Sequence, residues 1–301
     1  MGDSKLLFEN TGAYVSLNGE IIETRRYAAE TPDAGFWDAA VAYEVLRVAS
    51  GVPLFFEDHC ERLNKSLAKL GARASAAPET LASRVGALLR ANAVTDGNVK
   101  LWAAPVKPPV RLSGTARDAP QTEPNIFLNV NRSYDPNPEY YENGAPAGLM
   151  AYTRNDPNIK RYIAGYKERV RELTENGSVY EVLLYDGARR LTEGSRSNLF
   201  FTKNGIVYTA PADIILVGIR RRHIFAAARR LGIRIVEEPV TLDEVENKAV
   251  DGAFITGTGI GVLPVSQIDG AGLRSAGDPV IRKIMGEYEK IARDYIEARR
   301  T

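Results

Sequence analysis

The chain has 301 residues, 44% of them hydrophobic and 26% charged, with a formal net charge of +1, a composition that supports a substantial core and suggests two domains of ordinary size. So balanced a charge gives no electrostatic basis for nucleic acid or a membrane surface as partner, and no apolar run reaches the roughly 18 residues of a membrane span, which leaves a small molecule. The single cysteine, Cys60, excludes an intramolecular disulfide and a cysteine zinc site, and His59 and His223 are too few for a metal cage, so the residues predict cytoplasmic chemistry without a metal.

In chain order, residues 13–23 (AYVSLNGEIIE) alternate about Asn18-Gly19, a strong hairpin signal. Residues 40–49 (AVAYEVLRVA) read as a buried strand, turned by Gly51-Val52-Pro53 into a second at 54–56, so the chain opens with a small antiparallel sheet. Residues 57–70 (EDHCERLNKSLAKL) begin with acids, place Cys60, Leu63, Leu67 and Leu70 on one face and stop at Gly71, which predicts an amphipathic helix. A second helix is expected at 78–91, strands at 99–104 and 125–130, and between those strands a proline-punctuated loop of the length that often covers a site. The turn formers of DPNPEYYENGAPAG mark a boundary, giving an N-terminal domain over 1–132, a linker over 133–145 and a C-terminal domain over 146–301.

The second half reads as a strand at 149–153, a strand-to-helix passage through PNIKRYIAGYKERVRELTENG, the hairpin YEVLLYDGARRLTEG, and strands at 198–202 and 206–208. An alanine- and arginine-rich helix follows at 218–231, with Ile219, Ile224, Ala227, Ala228 and Leu231 as its apolar residues and Gly232 closing it. A strand at 233–237, a short acidic helix at 242–247, a strand at 252–256, the turn TGTGIG and a helix over 279–299 complete the chain.

Residues 191–200 (LTEGSRSNLF) organise this half. An acid, a turn glycine and small hydroxyl and amide residues lie between two strand-like segments, an arrangement that presents Glu193 at the floor of a site, although Glu193-Gly194 also fits a surface hairpin. Lys160, in PNIK, is delivered by a proline-started turn rather than a solvated helix face. Val217-Gly218-Ile219-Arg220 begins a helix whose N–H groups and positive dipole end favour an anion. Thr256-Gly257-Thr258-Gly259 offers backbone N–H groups and a hydroxyl, a nest for phosphate or carboxylate, while the GTGIG string lacks the glycine spacing of a dinucleotide fingerprint.

The EGSRSNLF string, the PNIK lysine upstream and the GI-plus-arginine helix start downstream resemble the fold-type IV family of pyridoxal-phosphate enzymes, which holds branched-chain and D-amino-acid aminotransferases, (R)-amine transaminases and aminodeoxychorismate lyase. The resemblance covers nearly the whole chain and is strongest over 157–265. It implies an α/β (α+β) fold in two domains, a small α/β N-terminal domain and a β-barrel-like C-terminal domain flanked by helices, with pyridoxal 5'-phosphate between them in a homodimer. It implies that Lys160 bonds to the cofactor aldehyde and moves the substrate proton, that Glu193 keeps the pyridine ring protonated, and that Arg62, in FFEDHCERL, joins Gly218, Ile219, Arg220, Gly257 and Thr258 at the phosphate. Taken alone, Arg62 also reads as an exposed helix arginine.

Several positions depart from the family pattern. Arg220 stands where threonine is usual, Asp38-Ala39-Ala40-Val41 replaces an FGDG-like turn, and Gly165 replaces a tyrosine for which Tyr162 and Tyr166 are possible stand-ins. Neither the Arg-x-His carboxylate trap of the D-amino-acid enzymes nor the Tyr-x-Arg of the branched-chain enzymes is present at VKLWAA. Tyr43 is expected in the pocket wall, Gly259 beside the substrate, and Lys100 and Arg111 as candidates for its carboxylate. The implied reaction is transamination between an amino acid, branched-chain-like or D, and a 2-oxo acid. Lyase action on aminodeoxychorismate, (R)-amine transamination and a non-catalytic binding module are the alternatives.

Overall fold

The computed structural model describes residues 11–30, 41–105, 124–131, 135–154, 156–160, 163–176 and 179–300, so Arg111, Tyr162, Asp38, Ala39 and Ala40 lie outside the described residues. Contacts group the chain into two compact units, one of Met1–Tyr134, Ile159–Tyr162 and Tyr295–Thr301, the other of Asp135–Asn158 and Ile163–Asp294. The first division falls between Tyr134 and Asp135, and the helix Glu139–Asn143 follows it. The segment carrying Lys160 groups with the N-terminal unit, a regrouping that a linear partition does not express.

The first unit is built on strands β1 (Thr11–Leu17), β2 (Glu20–Glu23), β3 (Ala42–Ala49), β4 (Val52–Pro53), β5 (Gly97–Ala104) and β6 (Asn125–Asn131), in the order β2-β1-β6-β5-β3-β4 and antiparallel throughout. Leu17 pairs with Glu20 across Asn18 and Gly19, whose φ values of 52° and 97° are those of the two-residue turn that Asn-Gly favours. The alternation of β3 has a direct outcome. Ala42, Leu46 and Val48 bury against α1 (Phe56–Lys69) and α2 (Pro78–Ala91) through Leu63, Leu67, Leu81, Val85 and Leu88, while Tyr43, Val45 and Arg47 fall on the other face.

The expected strand at 54–56 does not form. Val52–Pro53 pairs with β3, Phe55 turns left-handed at φ 55°, and Phe56 already opens α1. The turn buries the Phe55 ring, which packs edge-on against Tyr295 with centroids 5.0 Å apart. A short helix at Thr24–Glu30, not anticipated from the sequence, buries Tyr27 against Phe127.

In the second unit, β7 (Ala145–Ala151), β8 (Glu181–Tyr185), β9 (Leu191–Gly194), β10 (Asn198–Lys203), β13 (Gly252–Gly257) and β14 (Gly261–Ile268) pair in the order β10-β13-β14-β7-β8-β9. A single pair, Asn198 opposite Glu193, joins β9 back to β10 and closes the ring into a barrel. Strands β11 (Ile206–Thr209), β12 (Ile235–Val236) and β15 (Ala271–Gly272) extend the sheet outside it. The helix α3 (Ile219–Arg230) packs Ile219, Ile224, Ala227 and Ala228 inward, whereas Leu231, expected on that face, sits at the C-cap and is 36% exposed. The expected strand at 149–153 begins earlier, at Ala145, and ends at Ala151. β14 was not anticipated because Pro264 interrupts its apolar run; it lies opposite Phe254 within the ladder.

Candidate active site

Glu193 stands at the closing pair of the barrel and is 3% exposed, so it is no surface hairpin residue. Its Oε1 accepts from Arg154 Nε at 2.6 Å and its Oε2 from the Leu216 backbone N–H at 3.3 Å. Residues directly opposite in a ladder share a face, and Asn198 uses that placement. Its Nδ2 donates to Leu216 O at 2.9 Å and its Oδ1 accepts from Gly218 N–H at 3.0 Å. One strand pair therefore holds both the buried acid and the loop that starts α3.

The residues between the two members of the pair explain the composition of this stretch. Glu181, fully buried on β8, accepts from Ser195 Oγ at 2.5 Å and Ser197 Oγ at 2.8 Å, which pins the turn. A Cβ on Gly194 would meet Ser197 Oγ and the Glu181 side chain, and one on Gly218 would meet Asn198 Oδ1, so both positions require glycine for space. Around the acid, Arg154 lies over the Tyr166 ring at 5.4 Å, and Tyr166 Oη donates to Ser195 O at 2.9 Å. Tyr166 thus belongs to the shell of Glu193.

The first turn of α3 and the turn after β13 make an anion cradle. Arg220 is 3% exposed and its Nη1 donates to Thr258 Oγ1 at 3.4 Å, which brings Gly218, Ile219, Arg220 and Thr258 together. Thr256, opposite Asn198 on the same face, is buried and its Oγ1 has no hydrogen-bond partner among the described residues. An uncompensated buried hydroxyl costs about 1–3 kcal/mol, and a ligand oxygen would satisfy it. Gly257 packs on the pinned turn, since a Cβ there would meet Arg196 O at 3.1 Å, whereas Gly259, at φ 91°, faces open space. Helix N–H groups, a buried cation and an orphan hydroxyl fit the dianionic phosphate of pyridoxal phosphate.

In the first unit, Lys160 is positioned through its backbone. Its carbonyl accepts from Tyr43 N–H at 3.1 Å and its N–H donates to Ser66 Oγ, on α1, at 3.4 Å. The Nζ lies over the Tyr43 ring, 4.8 Å from the centroid, and Tyr43 packs against Trp102 with centroids 5.3 Å apart. Arg62, one turn before Ser66 on α1, is 8% exposed, which overturns its reading as an exposed helix arginine. It donates to Glu44 from Nε at 2.7 Å and Nη2 at 2.6 Å, and His59 Nδ1 lies 2.7 Å from the same carboxylate. Burial pushes the Glu44 carboxyl up, but the Arg62 charge, its hydrogen bonds and those of His59 prevail and hold it well below the usual carboxylate range. Glu44 is thereby held as a carboxylate that accepts from Arg62 and lies within hydrogen-bond distance of His59 Nδ1.

Lys100 is half-buried on β5, and burial lowers its pKa. Cys60 is no nucleophile, because burial first, and then the charge of Glu57, push its thiol up to about 12. Arg154, Asn198, Glu181 and Glu44 were missed by sequence reasoning. For Asn198 a signal existed, the amide within EGSRSN; the other three act through partners distant in sequence.

Residues 41–268 match the family model described as amino-transferase class IV. The chain is 30% identical over 263 residues to a D-alanine aminotransferase of Bacillus licheniformis, covering 85% of this chain and 88% of that protein. In fold it is similar to the branched-chain amino acid aminotransferase of Escherichia coli, at a TM-score of 0.77 and 21% identity over 93% of this chain and 95% of the other. It is likewise similar to the branched-chain enzyme of Thermobaculum terrenum in its pyridoxal-phosphate form, at a TM-score of 0.75 and 22% identity over 95% of each. A buried acid on a barrel seam beside an anion cradle is thus set in a chain that belongs to the class IV aminotransferases, enzymes that use pyridoxal phosphate to move amino groups between amino acids and 2-oxo acids.

Proposed function

We propose that the amino donor is a small D-amino acid, a reading supported by the 30% identity to a D-alanine aminotransferase across 85% of the chain. The likeness in fold to branched-chain enzymes supports a second reading, a branched-chain donor. When bound, pyridoxal phosphate supplies an aldehyde for the amino group and a ring that accepts the electron pair left when the substrate carbon loses its proton. With the cofactor bound, the Lys160 Nζ, as the neutral amine, would take that proton from the substrate Cα, and the Tyr43 ring face would hold the resulting ammonium until the proton is handed back. Glu193 holds a proton on the ring nitrogen, its counter-charge and direction fixed by Arg154.

Arg62, Gly218, Ile219, Arg220, Gly257 and Thr258 hold the phosphate in this reading. Tyr43 forms the pocket wall, and Lys100, Gly259 and Arg111, the last outside the described residues, meet the substrate. We further propose a homodimer working in the cytoplasm, the homodimer following from the family resemblance and the compartment from the one free, buried cysteine, Cys60. The observation that carries the reading is the double backbone anchorage of Lys160 to β3 and α1. Borohydride reduction of the cofactor-loaded protein, followed by peptide mapping, should place the adduct on Lys160, and an adduct on another lysine would remove the assignment. The loaded protein should pass the amino group of D-alanine or a branched-chain amino acid to 2-oxo acids. Pyruvate formed from aminodeoxychorismate with no amino acceptor would favour the lyase instead.

A further inference from the structure

We infer that Tyr295 is a positioning residue for the cofactor phosphate: it fixes the head of α1, and through that helix the point at which Arg62 presents its guanidinium. The inference rests on the reading above, in which Arg62 meets the phosphate.

Residues Tyr295–Thr301 group with the first unit and include the last turn of α4 (Pro279–Glu297). Tyr295 Oη accepts from the Phe56 backbone N–H at 2.9 Å and donates to Glu57 Oε2 at 2.7 Å. Arg299 completes the cluster: its Nη2 and Nε donate to Glu57 Oε1 at 3.0 and 3.3 Å, and its guanidinium lies 3.8 Å from the Tyr295 ring centroid. Tyr295 takes the place of a helix cap. Phe55, at the N-cap, has no side-chain oxygen to accept from the first turn, so a hydroxyl 239 residues from Phe56 does it instead. Burial first, and then the hydrogen bond to Glu57, push the Tyr295 phenol up, which keeps its proton available for Glu57.

The head of α1 leads a stripe of working residues. Phe55, His59, Arg62 and Ser66 follow one another at intervals of four, three and four residues, the spacing of one helix face, and all four are buried. The Phe55 ring packs on Tyr295, and the Phe55 carbonyl accepts from His59 N–H at 3.2 Å. Arg62 and His59 share Glu44, and Ser66 Oγ accepts from Lys160 N–H. A helix is a rigid element, so a displacement at Phe55 passes along this stripe to Arg62. Phe55 holds φ 55° and ψ 42°, a left-handed conformation that is an outlier for an aromatic residue and persists where surrounding contacts hold it. Tyr295 supplies such a contact.

A role in stability alone accounts for less. A helix start that needs only a cap takes Ser, Thr, Asp or Asn at the N-cap itself. The Arg299–Glu57 pair is exposed and adds little by itself, so the hold on α1 lies with the half-buried Tyr295. The family model matches residues 41–268, and the contact therefore ties an element inside that match to a residue beyond it.

The test is a double-mutant cycle on the full-length apo-protein, read by calorimetric titration with pyridoxamine 5'-phosphate and with pyridoxamine. Neither has an aldehyde for Lys160, and they differ in the phosphate alone. Tyr295→Phe keeps the ring against Phe55 and removes the hydroxyl. It should weaken pyridoxamine 5'-phosphate about three- to tenfold and pyridoxamine by less than about twofold. In the Arg62→Ala background the same change should weaken either ligand by less than about twofold, since the arginine it positions is gone. Glu57→Gln, an exposed change that loosens the hydroxyl without touching the ring, should give the same split at about two- to threefold, and it keeps the test open should Tyr295→Phe not fold. Equal losses on both ligands, no loss on either, or a loss that persists undiminished without Arg62 overturn the inference. A drop in urea stability with unchanged affinities would make Tyr295 a cap alone. Failure of the underlying reading has its own signature: Arg62→Ala would then bind pyridoxamine 5'-phosphate as the parent does, which removes both.

Discussion

The two units each hold one buried glutamate against one arginine, and the two pairs have opposite proposed working members. In the first, Arg62 is the group proposed to meet the cofactor phosphate and Glu44 is its clamp, with side chains 10% and 1% exposed. In the second, Glu193 is the proposed ring-nitrogen partner and Arg154 is its clamp, with side chains 4% and 15% exposed. The first pair is bidentate and shared with His59, a geometry that fixes the guanidinium plane. In the second, Arg154 Nε reaches one oxygen and the Leu216 backbone N–H the other, contacts that direct the carboxylate. A buried ion pair adds little net stability, so both pairs are better understood as devices that aim one charged group.

Breaking the first pair should have the largest effect. Glu44→Ala leaves Arg62 and His59 buried without their carboxylate, and unfolding in urea should show a loss of about 3–5 kcal/mol. The double replacement Glu44→Met with Arg62→Met should lose far less, because no charge is then stranded. A single variant as stable as the parent would show that Glu44 is no clamp.

Removing the working member of the first pair should act on the cofactor. Arg62→Ala is expected to weaken pyridoxal-phosphate affinity about ten- to a hundredfold in titrations of apo-protein, with excess cofactor restoring much of the activity. Equal affinities would make Arg62 solely the partner of Glu44.

The second pair should respond in rate instead. Glu193→Gln keeps the shape and loses the counter-charge, so cofactor stays bound while turnover falls by about tenfold or more, the size of one charged hydrogen bond in the barrier. Parent-like turnover of amino donors would remove Glu193 from the ring nitrogen.

The smallest effect separates the pairs by pH. Because the folded carboxyl of Glu44 lies below its usual 4.5, its contribution to stability is present above that value and is lost as pH falls through the folded value. Urea unfolding of the parent should therefore weaken on acidification below about pH 4.5, and the Glu44→Met, Arg62→Met double variant should show a shallower decline. Parallel acid limbs would mean that other carboxylates carry the dependence.

Local patterns in the sequence determined a good deal of this protein. Asn18-Gly19 dictated its hairpin, the alternation of 42–49 dictated which side chains of β3 face the helices, and the apolar spacing of Cys60, Leu63 and Leu67 dictated the buried stripe of α1. Lys160, Glu193 and the Gly218-Ile219 helix start could be singled out as candidates because each lies in a short contiguous string with a recognisable pattern. Tertiary structure alone decided the rest. Phe55 left the extended path because its ring gains burial against Tyr295, and β14 formed despite Pro264 because strands on both sides complete its ladder. Glu44, Arg154 and Glu181 look like ordinary charges in the sequence; they became clamps, Glu44 and Glu181 buried and Arg154 half-buried, through partners between 14 and 39 residues away. The electrostatics of a carboxylate are set by what surrounds it in space, and only the closing of the sheet and the barrel brings those groups together.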